Sequence, residues 1–258
     1  MRFSLEIKNN NDCFEVARAI QKHLEDNCLI YDQKNPEIVI SVGGDGTLLR
    51  AITHYQNKNP LFIGVNEGSL GFLCQFNDDE IPDLLDQIIE KRFSHVKDFR
   101  LLKAIVNDEE FYAFNEFRFE ANNGQSLAFH IDVDSSLLEH FTGDGVCFST
   151  SIGSTGMNKS LSGAVIDPEL ETIQISEKAP ISSRVYKTLG SPIVLNGDSK
   201  FELYNFSRQN FLFCYDNNSK NIILQDDVIK VYLSNKKVSI LVNKDHSFIS
   251  KINESFIA

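Results

Sequence analysis

Three glycines and an aspartate, Gly43, Gly44, Asp45 and Gly46, stand directly after the run Ile38-Val39-Ile40-Ser41-Val42 and directly before Thr47-Leu48-Leu49. Glycine lets backbone N–H groups come close to an anion, and a helix opening behind the loop adds partial positive charge, so the run suits phosphate. Asp45 is the discordant member, because a carboxylate repels phosphate unless a metal ion or a proton transfer calls for it. Phosphate binding beside a carboxylate points to phosphoryl transfer. A plain tight turn fits the same residues, since glycine and aspartate are common turn formers. Taken alone, the loop supports both readings equally. It is not the dinucleotide fingerprint, whose third glycine is missing, nor a Walker A loop, whose Gly-Lys-Thr/Ser is absent.

A second run, Gly143-Asp144-Gly145 leading through Ser149-Thr150-Ser151 to Gly153-Ser154-Thr155-Gly156, gathers small hydroxyl residues around glycine. Such residues suit hydrogen bonding to ribose and phosphate oxygens, although an unliganded loop has the same composition. A third group is Phe114-Asn115-Glu116-Phe117. Neighbours on a strand face opposite ways, so Asn115 and Glu116 can serve one ligand only if the strand ends or bends there. Otherwise Glu116 is an ordinary solvent-facing charge.

The elements that would position these groups change character along the chain. Strand patterns at 2–7, 37–42 and 61–65 alternate with helical patterns at 12–27, 48–56 and 81–90, with Thr47 as the expected cap of the second helix. Alternation of this kind gives a parallel sheet with covering helices, whose ligands lie beyond the carboxyl ends of the strands. From about residue 98 short strand patterns follow one another: 101–106 and 111–120 about a polar turn at 107–110, then 128–133, 145–150, 172–176, 193–195, 200–204, 211–214, 228–233 and 238–242. The expected fold is therefore an α/β domain over residues 1–97 and an all-β, sandwich-like domain over 98–245. In the tail, 246–258, Phe248, Ile252 and Phe256 recur at helical spacing with Ile249, which predicts an apolar stripe packing back on the first domain.

Composition narrows the class. A formal net charge of −11 with no basic block argues against nucleic acid as a partner. No apolar stretch is long enough for a membrane span, and Met1 to Lys8 turns polar too soon for a signal peptide. Five scattered cysteines without a Cys-x-x-Cys pair predict reduced thiols in a cytoplasmic protein rather than disulfides or a zinc site.

In chain order, Gly43-Gly44-Asp45-Gly46-Thr47, Gly64-Val65-Asn66 with Gly68-Ser69-Leu70-Gly71-Phe72-Leu73, Asn115-Glu116, and Gly143-Asp144-Gly145 leading to Gly153-Ser154-Thr155 resemble the NAD kinase family over residues 38 to 170. The resemblance implies transfer of the γ-phosphate of ATP to the 2′-hydroxyl of the adenosine ribose of NAD, with Asp45 as general base. It implies ATP phosphates at Gly43, Gly44, Gly46 and Thr47, with Mg²⁺ or another divalent cation carried mainly by those phosphates. By the same resemblance Asp45 and Gly46 also touch NAD in a β-rich NAD-binding domain whose ligand residues are Asn115, Glu116, Asp144, Thr155, Ser160 and Asp216. Phe72 is expected to line the adenine pocket, Asn115 and Glu116 to hold the ribose, Asp144 to face the nicotinamide end, and Thr155 and Ser160 the adenine side. Asp216 is expected as a ligand-side carboxylate, and the family implies a homodimer or homotetramer.

Several positions depart from the family pattern. Gly156-Met157 stands where Ala-Tyr is common, Ser69 where an arginine or histidine is usual, Asp167 and Asn217 where histidines occur. These changes bear on NAD affinity and on the donor, ATP or inorganic polyphosphate. Lys159, Arg184 and Lys187 are candidate phosphate partners. Two alternatives share parts of the pattern: a diacylglycerol- or sphingosine-type lipid kinase, which has the same glycine loop, and a dinucleotide-binding sensor without catalysis.

Overall fold

The computed structural model describes residues 1–67, 71–122, 124–182, 187–226 and 228–257. Two compact units make up the chain: Met1–Phe99 together with Lys237–Ala258, and Arg100–Lys236.

The first unit opens with β1 (Arg2–Ile7), α1 (Asn11–Asp26), β2 (Ile30–Tyr31), β3 (Ile38–Val42), α2 (Asp45–Tyr55), β4 (Leu61–Val65) and α3 (Ile81–Ile89). β1 pairs in parallel with β2 and β3, and β3 with β4. All five residues of β3 are buried, which is why its sequence is apolar at every position but Ser41 rather than alternating. α1 is capped by the Asn10 side chain accepting from the Cys13 N–H, and turns Cys13, Ala17, Ile20 and Leu24 inward. The Asp45 loop leaves β3 at its carboxyl end, as ligand loops of parallel sheets do.

The second unit is built on β5 (Val96–Val106), β6 (Glu109–Ala113), β7 (Glu116–Glu120), β8 (Leu127–Val133), β9 (Ser136–Gly143), β10 (Gly145–Thr150), the short α4 (Met157–Ser160), β11 (Thr172–Lys178), β12 (Ile193–Asn196), β13 (Phe201–Tyr204), β14 (Asn210–Tyr215), β15 (Asn218–Ile223) and β16 (Val228–Leu241). One antiparallel sheet runs β12-β11-β10-β7-β14-β15. The other places β13 between β8 and β16, with β9 outside β8. The two pack as a sandwich over a phenylalanine core, where Phe148 of β10 meets Phe201 of β13 edge to face at 5.3 Å.

Three expectations change. The single strand expected over 111–120 is two strands in different sheets, β6 and β7, broken at Phe114-Asn115. The expected polar turn is only Asn107-Asp108, both at positive φ, as a two-residue hairpin turn requires. Residues 228–241 form one strand rather than two, and its last part leaves the second unit: Ser239 and Ile240 pair in parallel with Leu61 and Phe62 of β4. Residues 237–245, assigned from sequence to the β-rich domain, therefore belong to the first unit.

The chain ends in α5 (Phe248–Phe256), capped by Ser247, whose side chain accepts from the Ser250 N–H. Before it, Asn243 Nδ2 donates to Glu80 Oε1 at 2.7 Å and the His246 ring lies 3.0 Å from the same oxygen. The stripe read as core is only partly covered: Ile249 is 71 % exposed, Phe256 39 %, and the buried residue of the helix is Lys251.

Candidate active site

In the first unit the loops after β3 and β4 meet on one carboxylate. α2 begins at Asp45 itself, with extended Gly44 in the N-cap position and no side-chain cap. Thr47, expected as the cap, lies buried inside the first turn with its N–H on the Gly44 carbonyl at 2.8 Å. The helix starts three residues early because Gly44 adopts the extended cap conformation and Asp45 spends its side chain elsewhere. Asp45 Oδ2 accepts from the Phe72 N–H at 2.9 Å, and Oδ1 accepts from the Leu73 and Cys74 N–H groups at 3.0 Å each. Three amide donors fix the direction of the carboxylate far more tightly than one would. Gly71 is required by the same contact: a Cβ there would overlap Oδ1 and lie 2.7 Å from Cγ. Beside Asp45, the Cβ side of Gly44 is open, its nearest neighbour being Asn66 Oδ1 at 3.9 Å. Gly43, at φ 143, makes the turn and donates its N–H to Val65 at 2.9 Å. Phe72 stacks on Phe256 at 4.9 Å, half buried against α5. Burial, and after it the charge of Asp45, pushes the nearby Cys74 thiol well up, which keeps it neutral.

The second unit holds the Asn115-Glu116 pair by the same device. Asp216 sits at φ 47 in the tight turn between β14 and β15 and is 9 % exposed. Its carboxylate accepts from the N–H groups of Phe114 at 2.8 Å, Asn115 at 2.7 Å and Glu116 at 3.3 Å. Those bonds supply the strand break between β6 and β7 and so let neighbouring side chains converge. A Cβ on Gly156 would lie 3.5 Å from Glu116 Oε2 and 3.6 Å from Asn115 Nδ2. Thr150 locks the opposite wall, its hydroxyl donating to the Phe114 carbonyl at 2.8 Å and accepting from the Gly153 N–H at 3.0 Å. Gly153 passes so close to Asn115 that a Cβ would overlap the Asn115 carbonyl.

Two buried atoms of this pair, Asn115 Oδ1 and Glu116 Oε2, have no hydrogen-bond partner. Unpaired buried acceptors are costly and ask for a ligand that brings donors. Burial raises the Glu116 carboxyl to about 7, with the charge of Asp216 adding and Arg118 opposing. Burial raises Asp216 to about 6 against the pull of its three amide donors.

The remaining expected residues are spread over the second unit. Thr155 is half buried in the short 3₁₀ turn Ile152–Thr155, and Ser160 is exposed at the end of α4. Asp144 is exposed before β10, at the end where Gly145 pairs with Glu120, whereas Asn115-Glu116 lie at the other end, where Ser149 pairs with Glu116. Four strand residues, about 13 Å, separate the two ends. Lys159, Met157 and Lys187 are exposed. The expectations for Gly68-Ser69-Leu70 and Arg184 lie outside the described residues.

Sequence reasoning missed the three amides on Asp45, the clamp made by Asp216, and Asn158. Fully buried Asn158 donates to the carbonyls of Ser154 and Ala164 and accepts from Ser176, bracing the Gly153–Thr155 turn. It missed Lys251 too, whose only signal is a charge three residues after Phe248 on an apolar face.

Residues 8–93 match the ATP-NAD kinase N-terminal domain and residues 114–242 the ATP-NAD kinase C-terminal domain. The chain is 32 % identical to NAD kinase 1 of Oceanobacillus iheyensis, covering all of this chain and 99 % of that one. It is 34 % identical to an NAD kinase of Staphylococcus epidermidis, over all of this chain and 98 % of that protein. Its fold is similar to yeast NADH kinase solved with NADH, at TM-score 0.85 and 18 % identity over all of this chain and 88 % of the other. An NAD kinase from Archaeoglobus fulgidus solved with ATP superposes at TM-score 0.81, with 21 % identity over 98 % of this chain and 99 % of that one. With both domains matched and relatives aligned from end to end, the chain belongs to the ATP-NAD kinase family.

Proposed function

We propose that the protein transfers the γ-phosphate of ATP to the 2′-hydroxyl of the adenosine ribose of NAD⁺, giving NADP⁺ and ADP. The observation that carries this reading is the Asp45 carboxylate, aimed by three amides beside a glycine loop that opens a helix without a side-chain cap. The full-length relatives favour it over the lipid-kinase alternative.

The ATP phosphates lie against Gly43, Gly44, Gly46 and Thr47, where backbone and helix N-terminus favour negative charge. Asp45, through Oδ2, takes the proton of the 2′-hydroxyl as that oxygen bonds to the γ-phosphorus and the bond to ADP breaks. Among the described residues no group of three or more His, Cys, Asp or Glu could hold a metal. A Mg²⁺ ion bound mainly to phosphate and water would offset the phosphate charge. Asn115 Oδ1 and Glu116 Oε2, both acceptors without partners, take the ribose hydroxyls of NAD, which are donors where phosphate is not. Asp216 acts behind them by holding their backbone. Phe72, Thr155 and Ser160 serve the adenine side and Asp144 the nicotinamide end, in a homodimer or homotetramer of the cytoplasm. Inorganic polyphosphate is a second donor of the same chemistry. Among the described residues no helix is long and apolar enough to cross a membrane.

The test is NADP⁺ formation from ATP, Mg²⁺ and NAD⁺, read with an NADP-specific dehydrogenase, for wild type and Asp45→Asn. A loss of about 10²–10⁴-fold in kcat, with NAD binding retained, is expected for removal of a general base. Wild type that binds NAD and forms no NADP⁺ with ATP or polyphosphate would leave the sensor reading instead.

A further inference from the structure

Lys251 is 3 % exposed, at the centre of α5. Burying an ammonium costs free energy unless it is bonded and its charge is offset. Its Nζ donates to the Phe72 carbonyl at 3.2 Å and to the Cys74 carbonyl at 3.3 Å. The same three-residue segment gives the N–H groups of Phe72, Leu73 and Cys74 to Asp45. A short piece of backbone is thus gripped from both sides, its amides by the carboxylate and two of its carbonyls by the lysine. Burial lowers Lys251 to about 8, while Asp45, Cys74, Glu254 and Glu80 pull it back up, Asp45 most. The helix that carries it is anchored independently, by Phe72 on Phe256 and on Phe248, and by Asn243 and His246 on Glu80.

An apolar side chain of equal length would fill this position without the desolvation cost, so packing alone does not call for a lysine here. What the ammonium adds is direction: two carbonyls held at once fix the peptide planes between them, and with those planes the N–H vectors of Leu73 and Cys74, the two that meet Asp45 Oδ1. We propose that Lys251 is a positioning residue for the phosphoryl transfer, holding the Phe72–Cys74 backbone so that its amides aim the Asp45 carboxylate. Its effect on turnover rests on the kinase reading above, whereas its hold on the segment does not.

The test uses the full chain with Lys251→Met and Lys251→Arg, and two readouts: hydrogen exchange of the Phe72–Cys74 amides, and kcat with KM for ATP and NAD. Lys251→Met is expected to exchange those amides about 10-fold faster or more and to lose about 10–100-fold in kcat, with KM held within about 3-fold, the mark of misplaced catalytic geometry. Lys251→Arg is expected to restore both, because a guanidinium can donate to two carbonyls. Unchanged amide exchange in Lys251→Met overturns the proposal, and so does faster exchange with wild-type kcat. If wild type makes no NADP⁺, the kinase reading fails and the exchange measurement alone decides whether Lys251 holds the segment. Should Lys251→Met not fold, Lys251→Gln is read by the same measurements, and wild-type behaviour in both overturns the proposal.

Discussion

Three carboxylates show how differently one functional group is used according to what its oxygens touch. Asp216 spends both oxygens on backbone amides, Asp45 is aimed by amides beside a loop suited to anions, and Glu116 keeps a buried oxygen with no partner. Sequence alone named all three but gave Asp216 a ligand contact. No feature of a linear pattern shows that Asp216 reaches back a hundred residues to the amide of Glu116. Glu116 has a measurable consequence. An acid raised from 4.5 to about 7 binds its proton more tightly folded than unfolded. Its contribution to stability is therefore full below about pH 4.5 and is lost as pH rises through about 7. Glu116→Gln removes that loss, on the order of 3 kcal/mol at most. The ligand-free variant should accordingly melt several degrees above wild type at pH 8.5 and close to it at pH 4.5. NAD binding should weaken in the same variant, because one of the two accepting carboxylate oxygens becomes an amide NH₂ that only donates. Thermal melts at the two pH values and titration calorimetry with NAD check both; an equal melting shift at the two pH values would contradict the burial account.

Elements place these residues, and the loop after β4 does so with little tolerance. Gly71 has no room for a methyl group, since its Cβ position coincides with the Asp45 carboxylate. Gly71→Ala should push the carboxylate off its amides and lower kcat by about 100-fold, as displacements near 1 Å do, with the far-UV spectrum unchanged. Wild-type turnover in that variant would mean that Asp45 orientation does not limit the reaction. The same elements explain what could be read in advance. β3 and β4 were legible because strands of a parallel sheet read as largely apolar runs bounded by glycine and polar residues, and β1 because Phe3, Leu5 and Ile7 alternate with polar residues. β9 and β15 were not, because each is an outermost strand of its sheet and carries runs such as Ser-Leu-Leu-Glu-His and Asn-Ser-Lys-Asn. The tail helix was legible as a helix and misread as core, since periodicity records spacing and not which face finds a partner. Its buried position went to Lys251, where two carbonyls rather than a hydrophobic pocket were waiting.

At the scale of the whole molecule, the two units carry buried charge of opposite sign, and pH should separate them. Among the described residues, the three carboxyls raised by burial lie in the unit Arg100–Lys236: Asp216 to about 6, Glu116 to about 7, and Glu139 to about 8, where Glu177 adds to the effect of burial. Each holds its proton more tightly folded than unfolded, so this unit loses stability as pH rises from about 4 to about 8. His130, held below its ordinary value by burial and by His140, works the other way, but it is one partly exposed imidazole against three buried acids. In the first unit the carboxylates with resolved shifts, Asp32, Glu37, Glu67 and Glu80, are all lowered, so their contribution is fully present above about pH 4.5 and constant from there upward. Lys251, lowered to about 8, gives that unit stability that grows as pH rises from about 8 towards 10.5. Native-state hydrogen exchange of the ligand-free chain, corrected for the intrinsic rate at each pH, reports the two units separately. Between pH 6 and pH 8.5 the protection free energy of peptides from 100–236 should fall by about one to a few kcal/mol, since each tenfold tightening of proton binding on folding is worth about 1.4 kcal/mol. Peptides from 1–99 should hold or gain over the same range. No loss in 100–236 over this range would show that the buried acids near Asn115 have found counter-charges of their own. A loss confined to 100–236, and reversed by saturating NAD, would tie the instability of that unit to acceptors kept unpaired for the ligand.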